Sequence, residues 1–402
     1  MAIVAVLSVL GLGLVKWLFA RLLVFKDFVT SRQRALGAVA RAMGPDGPKE
    51  GPGVWTLQPI TQPGNYKNNL KGASILAVGN LKGGVGKTTV AANIAAHLAS
   101  DPRWQKKVLL IDLDYQGSLS SMCFPVDSSW LPPANTDSVA TRALSGDLEP
   151  NLFLSAARRV DNDYRLDVIT AHYDLAQAEN RLLVEWLLNA NKGPRRNVRR
   201  WVSDFVLGRL YDPREMRYNL AKLLCSEAVR DAYDLIIIDC PPRLTAGTLQ
   251  ALCASSHLLI PTILDKPSAE SVVSFCDQVE ALRVAGLCPH LRHVGVVATR
   301  YVENLIAARR AAQLIRDQFS GRSYSCGLLS ARTFIPQTQA LVRNPDDGIA
   351  YFSLGRDSSS MKAKTAIAAL AEVVAHQVGV SPVASYEASE NVRQLNLPVA
   401  AE

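Results

Sequence analysis

The chain has 402 residues, 48% of them hydrophobic and 20% charged, which is enough apolar material for a large buried core and excludes a disordered or fibrous protein. A net charge of +8 and a pI near 9.1 point to an anionic partner, either nucleic acid or an acidic membrane surface. Seven cysteines (Cys123, Cys225, Cys240, Cys253, Cys276, Cys288 and Cys326) form no CxxC pair and are odd in number, against a disulfide framework or a zinc site. The six histidines show no ligand spacing either, since His290 and His293 lack cysteine or carboxylate neighbours of the right kind for a metal site.

Residues 1–25 are apolar except for Ser8, Gly11, Gly13, Lys16 and Arg21. A helix of that length rises about 37 Å, enough to cross a hydrocarbon core of about 30 Å. Lys16 and Arg21 oppose full insertion, since a charge at the bilayer centre costs about 2.5–3.5 kcal/mol, although charges near an end can snorkel. A span, an interfacial helix and a hydrophobic helix buried in the protein or an oligomer all fit the pattern. No basic residue precedes the run and no small-x-small site closes it, which speaks against a cleaved signal. Lys16, Arg21, Lys26, Arg32, Arg34 and Arg41 lie within or after it, so the positive-inside rule predicts a cytoplasmic remainder attached to the inner face of the membrane.

Residues 44–64 are dense in Pro and Gly and predict a linker, drawn over 44–72, between the N-terminal segment (1–43) and a main domain (73–380) followed by a tail (381–402). Within the main domain, buried strands are predicted at Ser74–Val78, Val108–Ile111, Leu166–Thr170, Leu235–Ile238, Leu258–Pro261 and Val294–Ala298, with helical stretches between them. That alternation predicts a doubly wound, mostly parallel α/β fold with its ligand chemistry at the carboxyl ends of the strands.

Immediately after the first of these strands comes Gly79-Asn-Leu-Lys82-Gly83-Gly84-Val85-Gly86-Lys87-Thr88-Thr89, then an Ala-, Ile- and Leu-rich helix. Glycines allow backbone N–H groups to turn toward phosphate oxygens, and the helix N-terminus adds a favourable dipole. Lys87 is placed to reach the β- and γ-phosphates and Thr88 to offer a hydroxyl to Mg²⁺. The leading glycine of the ordinary phosphate loop is missing; Leu81 occupies its place and Lys82 follows.

The run Lys82-Gly-Gly-Val-Gly-Lys-Thr-Thr89 resembles the deviant Walker A motif of the ParA/MinD family of P-loop ATPases. The resemblance implies ATP and Mg²⁺ as ligands and a homodimer that sandwiches two ATP molecules, with Lys82 reaching the partner's phosphates. Val108-Leu-Leu-Ile-Asp112-Leu-Asp114-Tyr-Gln-Gly117 is similar to the family's second acidic motif, which gives Asp114 the role of orienting water or Mg²⁺ with Asp112 in support. Tyr115 stands where the family has proline. Leu235-Ile-Ile-Ile-Asp239-Cys-Pro-Pro242 resembles the Walker B strand and switch II, with Asp239 holding Mg²⁺ through water, and Arg243 and Thr245 depart from the pattern that follows. Asp167–His172 with the helix Leu175–Leu183, Leu258–Pro261 and Phe334–Pro336 fit later family elements, Pro336 near the adenine or simply ending a strand. The resemblance spans about residues 73–378.

The functions so implied are a slow ATP-hydrolysing dimerisation switch in DNA partition or cargo positioning, with a ParB-like activator, or a membrane-tethered MinD-like spatial regulator. A MinD-type amphipathic tail is not visible in residues 387–402. Arg195, Arg196, Arg199 and Arg200 form a basic patch suited to nonspecific DNA contact or to a solvated loop. The membrane-linked bacterial tyrosine kinases share the phosphate loop and an N-terminal membrane region, but only Tyr386 stands near this C-terminus in place of their tyrosine cluster.

Overall fold

The computed structural model describes residue 37, residues 53–66 with short gaps, 74–124, 131–188 apart from 134, 135 and 162, 215–341 apart from 304 and 323, and 348–383. Residues 1–25, the arginine patch at 195–200 and nearly all of the tail lie outside the described residues. Among the described residues, no helix is long and apolar enough to cross a membrane.

Two compact units emerge from the chain: one of residues 61–180 and 216–402, the other of residues 1–60 and 181–215. The first is built on a seven-stranded sheet in the order β3-β4-β2-β5-β1-β6-β7. Its strands are β1 (Ser74–Val78), β2 (Val108–Asp112), β3 (Arg158–Arg159), β4 (Leu166–Ile169), β5 (Leu235–Asp239), β6 (His257–Ile263) and β7 (Arg292–Thr299). Every pairing is parallel except β3 with β4. All six expected strands are present, within two residues of the expected ends. The two-residue β3 was not expected, because a pair of arginines carries no strand signal.

Residues of β2 and β5 are buried without exception, as apolar runs covered on both faces must be. On one face lies helix α1 (Lys87–Ser100), whose Ala91, Ala92, Ala95 and Ala96 are buried and let its backbone approach the sheet closely. Against α1 packs a long helix, Ser358–Val378, capped at its start by Asp357, whose carboxylate accepts from Ser360 N, and stopped by Gly379 at φ 76°. Leu370, Ala371 and Val374 of this helix share one apolar cluster with Leu98 of α1 and Leu110 of β2.

Within the stretch expected to be a linker, Gln62 and Tyr66 pack on this first unit. Tyr66 is buried and its hydroxyl donates to the Cys253 carbonyl at 2.6 Å, while Gln62 Nε2 donates to the Gly286 carbonyl at 2.7 Å. In the second unit, a short 3-10 turn at Gly53–Thr56 buries Trp55, whose ring lies 5.9 Å from that of Trp186. An aromatic body outweighs the surrounding Pro and Gly in deciding burial there.

Candidate nucleotide site

Between β1 and α1 the loop 79–86 turns through two positive-φ glycines, Gly84 at 71° and Gly86 at 79°. Gly86 is the residue that precedes α1, and it is the left-handed φ rather than crowding that calls for glycine, since an added Cβ would only touch Thr299 at 3.5 Å. Thr299, the last residue of β7, braces the loop: its Oγ1 lies 2.8 Å from the Val85 carbonyl and 3.0 Å from the Thr262 carbonyl, a single hydroxyl proton shared between two acceptors. At the other end of the loop, Asn80 Nδ2 donates to the Pro261 carbonyl at 2.8 Å and its Oδ1 accepts from Lys82 N at 3.0 Å. The ends of β6 and β7 therefore fix both sides of the glycine turn. Val85 is fully buried beneath it, whereas Gly83 and Gly84 face solvent.

The two lysines behave differently. Lys87, in the first turn of α1, is buried and donates to the Lys82 carbonyl at 3.1 Å. Burial lowers its pKa, partly offset by the nearby Asp239, Cys240 and Asp114. Lys82 is one-third exposed and extends the other way, donating to Ser268 Oγ at 2.6 Å and pairing with Asp265 at 3.3 Å. Asp265 also caps the following helix, α2 (Lys266–Val284), by accepting from Ser268 N at 2.7 Å.

Thr88 Oγ1 donates to Asp239 Oδ2 at 2.6 Å. Asp239 ends β5 and stands in register with Val78 of β1 and with Asp112 of β2. Its second oxygen, Oδ1, is buried without a hydrogen-bond partner. Burial drives the Asp239 carboxyl well above the usual range, repulsion from Asp112 adds to this, and Thr88 and Lys87 oppose it. Asp112 differs: Oδ1 accepts from Asp114 N at 3.0 Å, and Oδ2 accepts from Ser120 N at 2.9 Å and Ser120 Oγ at 2.8 Å. Asp114 follows in the turn, nearly buried, with Oδ1 accepting from Gln116 N at 3.1 Å. Carboxylates crowded around one lysine, with one buried oxygen unpartnered, fit a hard divalent cation that takes oxygen ligands. Thr88 and Asp239 are the residues placed to hold it, directly or through water.

Thr89 lies beside Thr88, its carbonyl accepting from Asn93 Nδ2 at 2.6 Å. Pro336 bridges in parallel to Tyr301, just past the end of β7, with Tyr301 N donating to Ile335 O at 2.9 Å. That puts Pro336 at the carboxyl edge of the sheet, although Phe334–Pro336 forms this single bridge rather than a strand.

Glu179 is a site residue that the sequence did not reveal. On the helix Asp174–Leu188, it accepts from Gly247 N at 2.7 Å and from Thr245 Oγ1, in the segment that follows Pro241-Pro242 in the chain. A Cβ on Gly247 would meet Glu179 Oε1 at 2.5 Å, so a larger residue there would displace this carboxylate. Asn80, Thr299, Asp265 and Ser268 were likewise missed. Only Asn80 lay inside a recognisable motif, and nothing about its spacing marked its role.

A phosphate-cradling loop braced by the ends of a doubly wound parallel sheet puts the chain in the P-loop NTPase class. The family described as AAA domain matches residues 73–191 and 208–291, half of the chain. An uncharacterized protein of Pseudomonas putida is 30% identical over 306 residues, covering 76% of this chain and 96% of that protein. The chromosome-partitioning ATPase Soj of Thermus thermophilus is 28% identical over 278 residues, covering 68% of this chain and 85% of Soj. Among solved structures, cobyrinic acid a,c-diamide synthase from Mycobacterium smegmatis with bound ATP analog and magnesium superposes with a TM-score of 0.50 at 28% identity, over 70% of this chain and 92% of that one. The chain belongs to the ParA/MinD family of P-loop ATPases.

Proposed function

We propose that the protein binds Mg²⁺-ATP at this loop, dimerises on binding it and hydrolyses it slowly, acting as a timed switch in chromosome or plasmid partition or cargo positioning. The observation that carries this reading is the Thr88–Asp239 pair with its unpartnered Asp239 oxygen at the foot of the glycine loop. Support comes also from Soj, named a chromosome-partitioning ATPase, and from the magnesium and ATP analog held by the Mycobacterium smegmatis relative.

Held by Thr88 and Asp239, Mg²⁺ would supply neutralisation of phosphate charge. The chain's own residues do the rest. Loop N–H groups from Gly83 to Thr88 cradle phosphate oxygens, and Lys87 swings from the Lys82 carbonyl to the β- and γ-phosphates. Thr89 flanks the α-phosphate side and Pro336 borders the adenine. Asp114 orients the attacking water. Lys82, released from Asp265 and Ser268, reaches the partner subunit's phosphates. Asp114→Ala should therefore keep ATP affinity while slowing single-turnover hydrolysis by about 10²–10⁴-fold. An unchanged rate would remove Asp114 from the mechanism.

In the same proposal, residues 73–380 are the ATPase domain, residues 1–25 attach it to the membrane through the segment ending near 43, and Arg195, Arg196, Arg199 and Arg200 contact DNA phosphates. A ParB-like protein would stimulate the switch. Length, apolarity and the basic residues that follow the run support the attachment. Deleting residues 1–52 should move the protein from the membrane pellet to the soluble fraction, and fourfold alanine replacement of the arginines should flatten the salt slope of DNA binding. A full-length protein found wholly in the soluble fraction, or an unaltered slope, would remove the corresponding contact.

A further inference from the structure

Away from the carboxyl edge, one cluster of side chains takes no part in the nucleotide site. Cys276 lies about midway along α2, His293 is the second residue of β7, and Cys326 follows the helix Ile306–Phe319, which we number α3. The fold brings them together: one ligand atom from each lies within 4.8 Å of the others. The cysteines and histidines that looked unrelated in the sequence thus converge on His293.

Three features distinguish this cluster from chance burial. First, the two sulfurs are 3.8 Å apart. A disulfide would hold them at about 2.0 Å, whereas two thiolates at the corners of a tetrahedron around Zn²⁺, with Zn–S bonds near 2.3 Å, stand about 3.8 Å apart. Second, both ring nitrogens of His293 are sealed from solvent, with no partner facing them beyond the Cys326 thiol of the cluster itself, an arrangement that costs free energy unless something binds there. Third, the adjacent carboxylate is already engaged: Asp277 accepts from Tyr324 OH at 2.7 Å and from Arg322. That network closes one side of the cluster and leaves its donors as two sulfurs and one imidazole.

The backbone maintains the approach. Gly295, at φ 139°, has no side chain to collide with Gly327 O at 3.0 Å or Leu329 at 2.7 Å, so the segment after Cys326 can run along the outer edge of β7. Val296 N donates to Gly327 O and Leu329 N to Val296 O, each at 2.8 Å.

We propose that Cys276, His293 and Cys326 form a binding site for a thiophilic divalent cation of the Zn²⁺ class, with water as the fourth ligand. Each thiol gives up its proton to solvent as the metal–sulfur bond forms, so binding releases protons. Sulfur and imidazole select such an ion over Mg²⁺, which prefers oxygen. The bound ion cross-links the outer strand of the sheet to α2, the helix whose first turn holds Lys82 through Ser268 and whose cap is Asp265.

Reduced full-length protein without nucleotide, titrated with Co²⁺ as probe, tests this directly. The expected result is a thiolate-to-cobalt charge-transfer band that saturates at one ion per chain, is removed by Zn²⁺ and resists excess Mg²⁺. Co²⁺ at the phosphate loop has no sulfur ligand and gives no such band. Cys326→Ser and His293→Gln should each weaken Zn²⁺ binding by about 10- to 100-fold in competition with a chromophoric chelator. ATP affinity should be unchanged in both, which also shows that the variants are folded. Absence of the band in the wild-type protein, or a band of full strength in Cys326→Ser, would overturn the proposal.

Discussion

Asp112 and Asp239 stand side by side at the ends of β2 and β5, in register and sealed from solvent. Asp112 accepts three hydrogen bonds, from Asp114 N, Ser120 N and Ser120 Oγ. Asp239 accepts one, from Thr88, and keeps a buried oxygen without a partner. Two identical residues in matching positions have thus been put to different uses. The saturated carboxylate shapes the turn that carries Asp114, and the unsaturated one is available for chemistry. Unmet hydrogen-bonding capacity, more than residue type or burial, separates site from scaffold here.

Substituting the two aspartates one at a time would break or sharpen that contrast. The larger expected effect belongs to Asp239→Asn, which keeps an acceptor for Thr88 but removes the charge. Mg²⁺-dependent ATP affinity should fall by about 10- to 100-fold, with thermal stability near that of the wild type because the desolvation cost of a buried carboxylate is gone while Thr88 keeps its acceptor. Calorimetric titration of ATP with and without Mg²⁺ reads this, and full retention of the Mg²⁺ effect would erase the distinction.

Asp112→Asn should do the reverse. An amide cannot accept on both sides, so one of the three bonds is lost and an N–H faces another N–H, at a cost of about 1–3 kcal/mol. Denaturant unfolding should show the loss, while ATP affinity changes far less than in Asp239→Asn. A stability equal to the wild type would mean that the three bonds are not what holds the turn.

How much of this was legible beforehand follows from where each signal lies along the chain. The central strands read clearly because Leu235–Asp239 and its neighbours are apolar runs, and the glycine loop read clearly because its chemistry is contiguous. Asp112 and Asp239 were both visible as strand-end acids, but the partner count that separates them arises only when Ser120 and Thr88 fold back onto them. Glu179 sits in a helix with ordinary spacing, and its role exists only because Gly247 passes within hydrogen-bond distance. The Cys276, His293 and Cys326 cluster was read as unrelated residues, since a helix, an edge strand and a connecting segment each contribute one member. Phe334–Pro336 was expected as a later strand from the family resemblance, but it lies beside the irregular residues after β7, where Arg300 has a φ of 49°, and it forms a single bridge.

The central claim, an ATP-dependent dimer switch, turns on Lys82. In the single chain this lysine is held by Asp265 and Ser268, whereas Lys87 donates to the Lys82 carbonyl. Light scattering of wild-type protein and Lys82→Ala, each with Mg²⁺ and a nonhydrolysable ATP analogue, measures whether that lysine is needed to join two subunits. The account predicts that the wild-type mass doubles on adding the analogue and that Lys82→Ala binds the analogue but keeps the monomer mass. A wild-type mass that ignores the analogue, or a variant that dimerises as the wild type does, would contradict it.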